Sequence, residues 1–228
     1  MMEIHFVRHG QASFGTADYD RLSAAGRRQA ALLGDWWRRS GLAFDAFLAG
    51  PLRRHAETAR AAAAACGTAA PPLRVIDELA EIDTERILAA EIEALLIAHP
   101  ELADAYHRRH RDADAYRQVV ARAMHRSLLA GESADGVGGF LATVRRGLDR
   151  VRSLCDGHRR AAVFTSGGTI AATLQIVMDL RPAVAVDIGW RILNTAVSVC
   201  AAEAGTLHLI SFNNTAHLAG APELTTLF

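Results

Sequence analysis

Short apolar runs alternate with helix-periodic segments along most of this chain, and no other feature restricts its fold as much. Ile4, Phe6 and Val7 read as a short buried strand that Gly10 breaks. Ser23 then reads as the N-cap of a helix that carries Ala24, Ala30, Leu33 and Trp37 towards a core and ends near Ser40-Gly41. Phe44 to Ala49 is a second strand closed by Gly50-Pro51, Leu52 to Cys66 a second helix, and Leu73 to Ile76 a third strand after Pro71-Pro72. From Thr84 to about Cys155 the pattern is helical, with polar breaks at His99-Pro100 and from Gly131 to Gly139. Ala161 to Thr165 reads as a fourth strand, Gly168 to Leu180 as a helix, and Val197 to Ala201 and Leu207 to Ser211 as the last strands. The alternation predicts a three-layer α/β/α fold, with a mainly parallel sheet covered by helices on both faces. The 228 residues suit one large domain, and no repeat, low-complexity tail or linker divides them. The expected organisation is a single domain over 1–228 with a helical insertion at about 85–157.

Composition narrows the partners. Half of the residues are apolar and the formal net charge is zero, so a basic nucleic-acid-binding surface is not indicated. All 25 Lys+Arg side chains are arginine, which removes any lysine Schiff base or lysine phosphate clamp. Cys66, Cys155 and Cys200 lie far apart with no Cys-x-x-Cys pair, a pattern that suits reduced thiols in the cytoplasm. The chain enters its first strand at once, nothing reads as a signal peptide, and no apolar run is long enough for a bilayer. No membrane partner is expected; a homodimer through a sheet edge or the helical stretch is compatible with the pattern.

The chemistry begins at Arg8-His9-Gly10, delivered by the first strand to the mouth of the sheet, where open α/β folds bind ligands. An imidazole beside a permanently charged guanidinium suits attack on a phosphate monoester. The ring nitrogen is the nucleophile and the guanidinium grips the phosphoryl oxygens. Arg53 and Arg54 open the second helix, where first-turn N–H groups favour an anion; a double arginine reads equally well as solvated surface charge. After the third strand, Asp77, Glu78, Glu81 and Asp83 crowd together, and local sequence does not choose among them. Acidic residues opening a helix at about Thr84 account for some. Thr165-Ser166-Gly167-Gly168-Thr169 is a strand-to-helix turn in which Ser166 or Thr169 reads as an N-cap.

These segments together resemble the histidine phosphatase superfamily, in its phosphoglycerate-mutase-like branch. The resemblance covers the sheet-forming parts but not the helical stretch from about Glu85 to Gly157. Arg8-His9-Gly10 stands at the family's first Arg-His-Gly, which implies that His9 is phosphorylated in turnover. Leu22-Ser23-x-x-Gly26-x-x-Gln29-Ala30 is similar to the family's Leu-Thr-x-x-Gly-x-x-Gln-Ala, but a capped amphipathic helix accounts for it and no catalysis is assigned. Gly50-Pro51-Leu52-Arg53-Arg54-His55-Ala56-Glu57-Thr58-Ala59 resembles Ser-x-Leu-x-Arg-Ala-x-x-Thr-Ala. On that register Arg54, not Arg53, is the second phosphate arginine, and Gly50 stands at the family's Ser. Leu79-Ala80-Glu81 resembles the family's Leu-x-Glu, implying Glu81 as general acid with Asp83 as the alternative. The family's strand-to-helix turn reads Ser-His-Gly-Gly, and Ser166 stands at its His. A serine donates one hydrogen bond but carries no charge, and losing a charged, preorganised donor typically costs ~10²–10³ in rate.

The resemblance therefore implies a metal-independent phosphomonoester hydrolase acting on a small phosphorylated substrate through His9. Arg8, Arg54, Ser166 and the backbone at Gly167 would cradle the phosphate, without cofactor or metal. Two alternatives stay open: a phosphoglycerate-mutase-type phosphotransferase, and a catalytically weak phosphoester-binding protein, because of Ser166. A backbone carbonyl is expected to hold the second ring nitrogen of His9, and Arg8 to favour its neutral form. Substrate selection is expected from Gln11 to Tyr19 and from the helical stretch. His99, His107, His110 and His125 lie in that stretch among Arg108, Arg109, Arg111 and Arg122, which repel cations, so solvated helix is the reading and not a metal site. His217 reads as structural or at the pocket edge.

Overall fold

The computed structural model describes residues 2–227, apart from 14, 15, 17, 68–70, 109–110, 131–135 and 204. Its strands are β1 (Met2–Arg8), β2 (Ala46–Ala49), β3 (Leu73–Val75), β4 (Arg160–Thr165), β5 (Val197–Glu203) and β6 (Thr206–Asn214). They form one sheet in the order β3-β2-β4-β1-β5-β6. β1 to β4 run parallel, while β5 and β6 add on antiparallel beside β1. The three-layer α/β fold with a mainly parallel sheet is thus the observed architecture. Central strands β2 and β4 are almost wholly buried, as expected of parallel strands covered on both faces.

The helices are α1 (Ala24–Arg39), α2 (Arg53–Cys66), α3 (Thr84–Ile87), α4 (Ala89–Ala98), α5 (Ala103–Arg108), α6 (Ala113–Ala130), α7 (Val137–Leu154), α8 (Gly167–Met178) and α9 (Pro182–Gly189). α1 and α2 cover one face, where Leu33, Trp37 and Ala62 pack with Val7, Phe47 and Phe164. α7 and α8 cover the other, where Val144, Leu148 and Ile170 pack with Ile4, Phe6 and Val163. α4 to α6 form a separate apolar cluster around Ile92, Leu95, Leu102, Val119 and Val120.

Two departures from the sequence expectation bear on the site. α7 begins at Val137, so Gly138 and Gly139 lie in a helix and not in a polar break; residues 131–135 fall outside the described set. The sequence pattern names no helix over 182–189, yet α9 forms there. Pro182 occupies its first turn, where the missing N–H costs nothing and the fixed φ favours a helix. Among the described residues no helix is long and apolar enough to cross a membrane.

One close approach fixes the entry to the site. A Cβ on Gly26 would lie 2.2 Å from the Gln11 carbonyl oxygen, and one on Gly10 would lie 2.5 Å from the Gly26 oxygen. Ser23 caps α1 by accepting from Gly26 N at 3.0 Å, and Gln29 Oε1 accepts from Gln11 N at 2.8 Å. The α1 segment therefore buttresses the backbone just after His9, which gives those residues a purely structural use.

Candidate active site

His9 is the first residue past β1, and its backbone is pinned from three sides. His9 N donates to Thr165 O at 2.8 Å, Asn194 Nδ2 donates to His9 O at 3.2 Å, and Gly10 N donates to Thr58 Oγ1 at 3.0 Å. The ring is also fixed. Nδ1–H donates to Gly10 O at 2.7 Å, which leaves Nε2 with its lone pair. Burial, and then Arg54, Arg8 and His55, hold the imidazole well below its usual pKa, so the ring is neutral. Thr195 supports the same segment from a left-handed backbone (φ 56°), with its N–H on Arg8 O at 3.1 Å. Its hydroxyl lies 2.9 Å from Nε2 of buried His217, which makes His217 a brace behind the site.

The two arginines of α2 part company. The Arg54 side chain is 7% exposed and donates through Nη1 to Asp20 Oδ1 at 2.8 Å, with Tyr19 stacked 5.3 Å from its Cζ. Arg53 is 56% exposed and pairs with Glu57 at 2.7 Å and Asp18 at 3.2 Å. Leu52, the N-cap of α2, offers no side-chain bond; Asp20 accepts from Arg53 N at 2.9 Å and Arg54 N at 3.4 Å instead. The anion at this helix end is therefore a carboxylate of the chain itself. On the other side of His9, Arg8 donates through Nη1 to Ile192 O, and burial, offset by Glu81, draws its guanidinium down to about 10, still charged at neutral pH.

Glu81 is placed by the β4–α8 turn. Thr165 Oγ1 donates to Leu79 O and Thr169 Oγ1 to Ala80 O, both at 2.7 Å, so two threonines hold the segment against α8. A Cβ on Gly168 would lie 2.3 Å from Glu81 Oε1, so a side chain there would push this carboxylate aside. Asp83 serves instead as N-cap of α3, accepting from Arg86 N at 3.1 Å.

Ser166 occupies the N-cap position of α8, yet its side chain makes no capping bond. Its Oγ lies 2.7 Å from Nε2 of His55, and both residues are fully buried. The His55 ring is 5.8 Å from that of His9, tilted by 32°. Burial, and then Arg54, push the His55 pKa down to about 3, so this ring is neutral as well. The sequence signal for His55 is a histidine directly after Arg54 in the first turn of α2.

These elements enclose a cavity of about 790 Å³ whose wall includes Arg8, His9, Arg54, Glu81, Gly167 and Gly168. Ser166 and His55 lie behind that wall. Thr16 and Tyr19 line it from the loop after β1, and Tyr116 and Met124 from α6. Phe140 and Leu141 of α7, Val186 of α9 and the following Trp190 complete the far end. The Tyr116 hydroxyl meets Thr84 Oγ1 at 2.9 Å, and burial pushes its pKa up to about 12. His99 and His125 pair with Glu101 and Asp187 at 3.1 and 3.4 Å, away from the cavity; His110 and Arg109 lie outside the described residues. Among the described residues no three or more His, Cys, Asp or Glu side chains gather to hold a metal ion.

Solved structures share this architecture. Phosphoglycerate mutase from Bacillus anthracis is 15% identical, with a TM-score of 0.67 over 96% of this chain and 95% of that one. A mutant phosphoserine phosphatase from Entamoeba histolytica in complex with phosphoserine, also 15% identical, gives 0.63 over 96% and 100%. A putative α-ribazole-5′-P phosphatase from Escherichia coli is 18% identical and gives 0.62 over 95% and 98%. At such identities the likeness establishes the fold. No curated protein matches in sequence. The sequence matches the histidine phosphatase superfamily (branch 1) over residues 4–215, the helical stretch included, and the chain therefore belongs to that superfamily.

Proposed function

We propose that this chain is a metal-independent phosphomonoester hydrolase that works through a phosphohistidine on His9. One observation carries the reading: His9 is neutral, its Nδ1–H is committed to Gly10 O at 2.7 Å, and it shares a cavity wall with Arg8, Arg54 and Glu81. Phosphoryl oxygens dock on the two guanidinium groups and on the first-turn N–H groups of α8 at Gly167 and Gly168. Arg54 exchanges Asp20 for the substrate as it does so. His9 Nε2 attacks phosphorus, the bond from phosphorus to the alcohol oxygen breaks, and Glu81 gives its proton to the departing alkoxide. Water then attacks the phosphohistidine while the Glu81 carboxylate takes its proton. The N–P bond breaks, and phosphate leaves a neutral His9. On the sequence register Ser166 stands where the family has its second histidine, so the cradle works with two fixed positive charges.

The cavity also supports a class of leaving group. Among the described wall residues the cations are Arg8 and Arg54, both at the phosphoryl end. Asp83 and Glu85 are acidic, and the far end is built from apolar side chains such as Met124, Phe140, Leu141 and Trp190. The leaving alcohol is therefore apolar or aromatic and carries no second anion. A phosphoglycerate carboxylate finds no cation there, which counts against the mutase alternative.

The test incubates the protein with aryl, alkyl and carboxylated phosphomonoesters, with and without chelator, and looks for base-stable, acid-labile phosphate on histidine. Expected are chelator-insensitive hydrolysis, label lost in His9→Ala, and kcat/KM at least about tenfold higher for aryl esters than for 3-phosphoglycerate. Metal-dependent turnover, or label elsewhere, overturns the mechanism. Tight phosphate binding without label favours the phosphoester-binding alternative.

A further inference from the structure

Three of the positions that depart from the family pattern in this chain are Gly50 for Ser, His55 for Ala and Ser166 for His. The fold brings all three together. His55 Nε2 lies 2.7 Å from Ser166 Oγ, and a Cβ on Gly50 would lie 2.5 Å from His55 Nδ1 and 2.3 Å from Leu79 O. The side chain lost at position 50 opens the space that the His55 ring fills, and the ring lost at position 166 is replaced by one arriving from α2. We infer that these are one coupled exchange, in which His55 is a positioning residue that replaces the second family histidine and acts through Ser166. The inference rests on the phosphohistidine reading and on that family register.

The hydrogen-bond inventory says how the pair works. His55 Nδ1 faces the backbone of Gly50, whose hydrogen bond to the ring favours a proton on that nitrogen. Nε2 is then left with its lone pair towards Ser166. Ser166 Oγ–H then donates to Nε2 at 2.7 Å, which fixes the serine behind the cavity wall. Ser166 also stands at the N-cap of α8, so anchoring it anchors the Gly167 and Gly168 amides on the cavity wall. The His55 ring, 5.8 Å from that of His9, additionally confines the nucleophile. Such an arrangement keeps an imidazole next to His9 while removing it from direct contact with the substrate.

Exchange of side chains between the two positions is the decisive experiment, read as kcat, KM and the Kd of inorganic phosphate. H55A should lower kcat about a hundredfold with a smaller change in KM, because it loosens both the head of α8 and the wall behind His9, and a misplacement of about 1 Å can cost roughly that much. S166A should cost up to about tenfold, one uncharged hydrogen bond, and H55A/S166A should be no worse than H55A because both remove the same contact. S166H alone should be harmful, since two rings compete for one space. H55A/S166H should recover to within about tenfold of the parent, the scale of one lost hydrogen bond. H55Q, which keeps an acceptor for Ser166, should stay within about fivefold of the parent on the same scale and covers the case in which H55A fails to fold. Independent effects of H55A and S166A, activation by S166H, or no recovery in H55A/S166H overturn the inference. If the parent forms no phosphohistidine, the functional reading falls, while coupling between positions 55 and 166 is still read in the phosphate Kd.

Discussion

The floor and the roof of the cavity are built in opposite ways. The floor hangs on backbone: His9 is pinned by Thr165, Asn194 and Thr58, and Glu81 is held through the carbonyls of Leu79 and Ala80. Thr165 ends β4 and Leu79 and Ala80 follow β3, while Thr58 belongs to α2 and Asn194 precedes β5. The roof, α3 to α6 with the start of α7 and the end of α9, is held by side-chain packing around Ile92, Leu95, Val119 and Val120. Its polar residues form exposed ion pairs such as Arg108 with Asp104 at 3.0 Å, which stabilise little. Phosphoryl transfer tolerates little displacement, since a misplacement of about 1 Å can cost roughly 10²-fold. Recognition of an apolar alcohol needs only shape and dry surface. On the proposed function, the contrast assigns the chemistry to the pinned half and selection to the packed half.

The sharpest way to break this division is to compare the two neighbouring arginines. R54A removes a charge from the floor and should lower kcat/KM by about 10²–10³. R53A removes an exposed pair with Glu57 and Asp18 and should change kcat/KM less than about threefold, with stability altered by less than about 1 kcal/mol. Steady-state kinetics on both variants decides. Equal losses would mean that the buried position of Arg54 says nothing about phosphate.

The two halves were also unequally legible. The floor could be read because strands announce themselves by short apolar runs, and because Arg8, His9, Arg54 and Glu81 each follow a strand closely. Even there the partner of Ser166 was hidden. An N-cap is a local expectation, whereas the bond to His55 spans 111 positions in sequence and needs the fold to exist. Asp20 was hidden for the same reason, being a loop carboxylate that caps a helix 33 residues away. In the roof, alternating Ala and Val from Pro182 to Val186 disguised α9 as an apolar run, although Pro182 was a usable start signal. Gly138 and Gly139 pointed to a break, but packing of Phe140, Leu141 and Val144 against the sheet overrides their poor helix propensity.

Acid should damage the floor first. His5 and His217 are pushed down to about 4 and His55 to about 3, chiefly by burial, and His9 is lowered too; the roof residues His99 and His125 are exposed. The unfolded chain takes up protons near pH 6.5 while these folded rings refuse them. The unfolded state therefore binds more protons as pH falls, and stability drops by about 1.4 kcal/mol per pH unit for each such ring. Urea unfolding at pH 7, 6 and 5 should show this decline, with a shallower slope in His217→Asn. A flat profile between pH 6.5 and 5 would remove buried neutral histidines from the account of the floor.

The roof is tested through Phe140, which lines the cavity from α7. F140A should lower kcat/KM for an aryl phosphate by about tenfold, the order expected when an apolar pocket loses contact with its ligand, and leave a methyl-sized ester nearly unchanged. A uniform loss across substrates would mean that α7 positions the chemistry, and the division between halves would fail.

A smaller effect than that of F140A belongs to Asp20, where floor and entrance loop meet. Its carboxylate does two jobs that oppose each other in substrate binding. It caps α2 through Arg53 N at 2.9 Å, which favours the fold, and it holds Arg54 Nη1 at 2.8 Å, which the phosphate must displace. D20N keeps a good capping oxygen and removes the charge, so stability should change little while phosphate gains access to Arg54. The pair is partly exposed, so the gain is limited to about fivefold in KM, the upper end for such ion pairs. D20A removes the cap as well and should destabilise the protein by about 1 kcal/mol. Thermal unfolding beside KM for one aryl phosphate separates the two jobs. If D20N raises KM, the carboxylate orients Arg54 for the substrate and does not compete with it, and the loop after β1 belongs with the pinned half of the site.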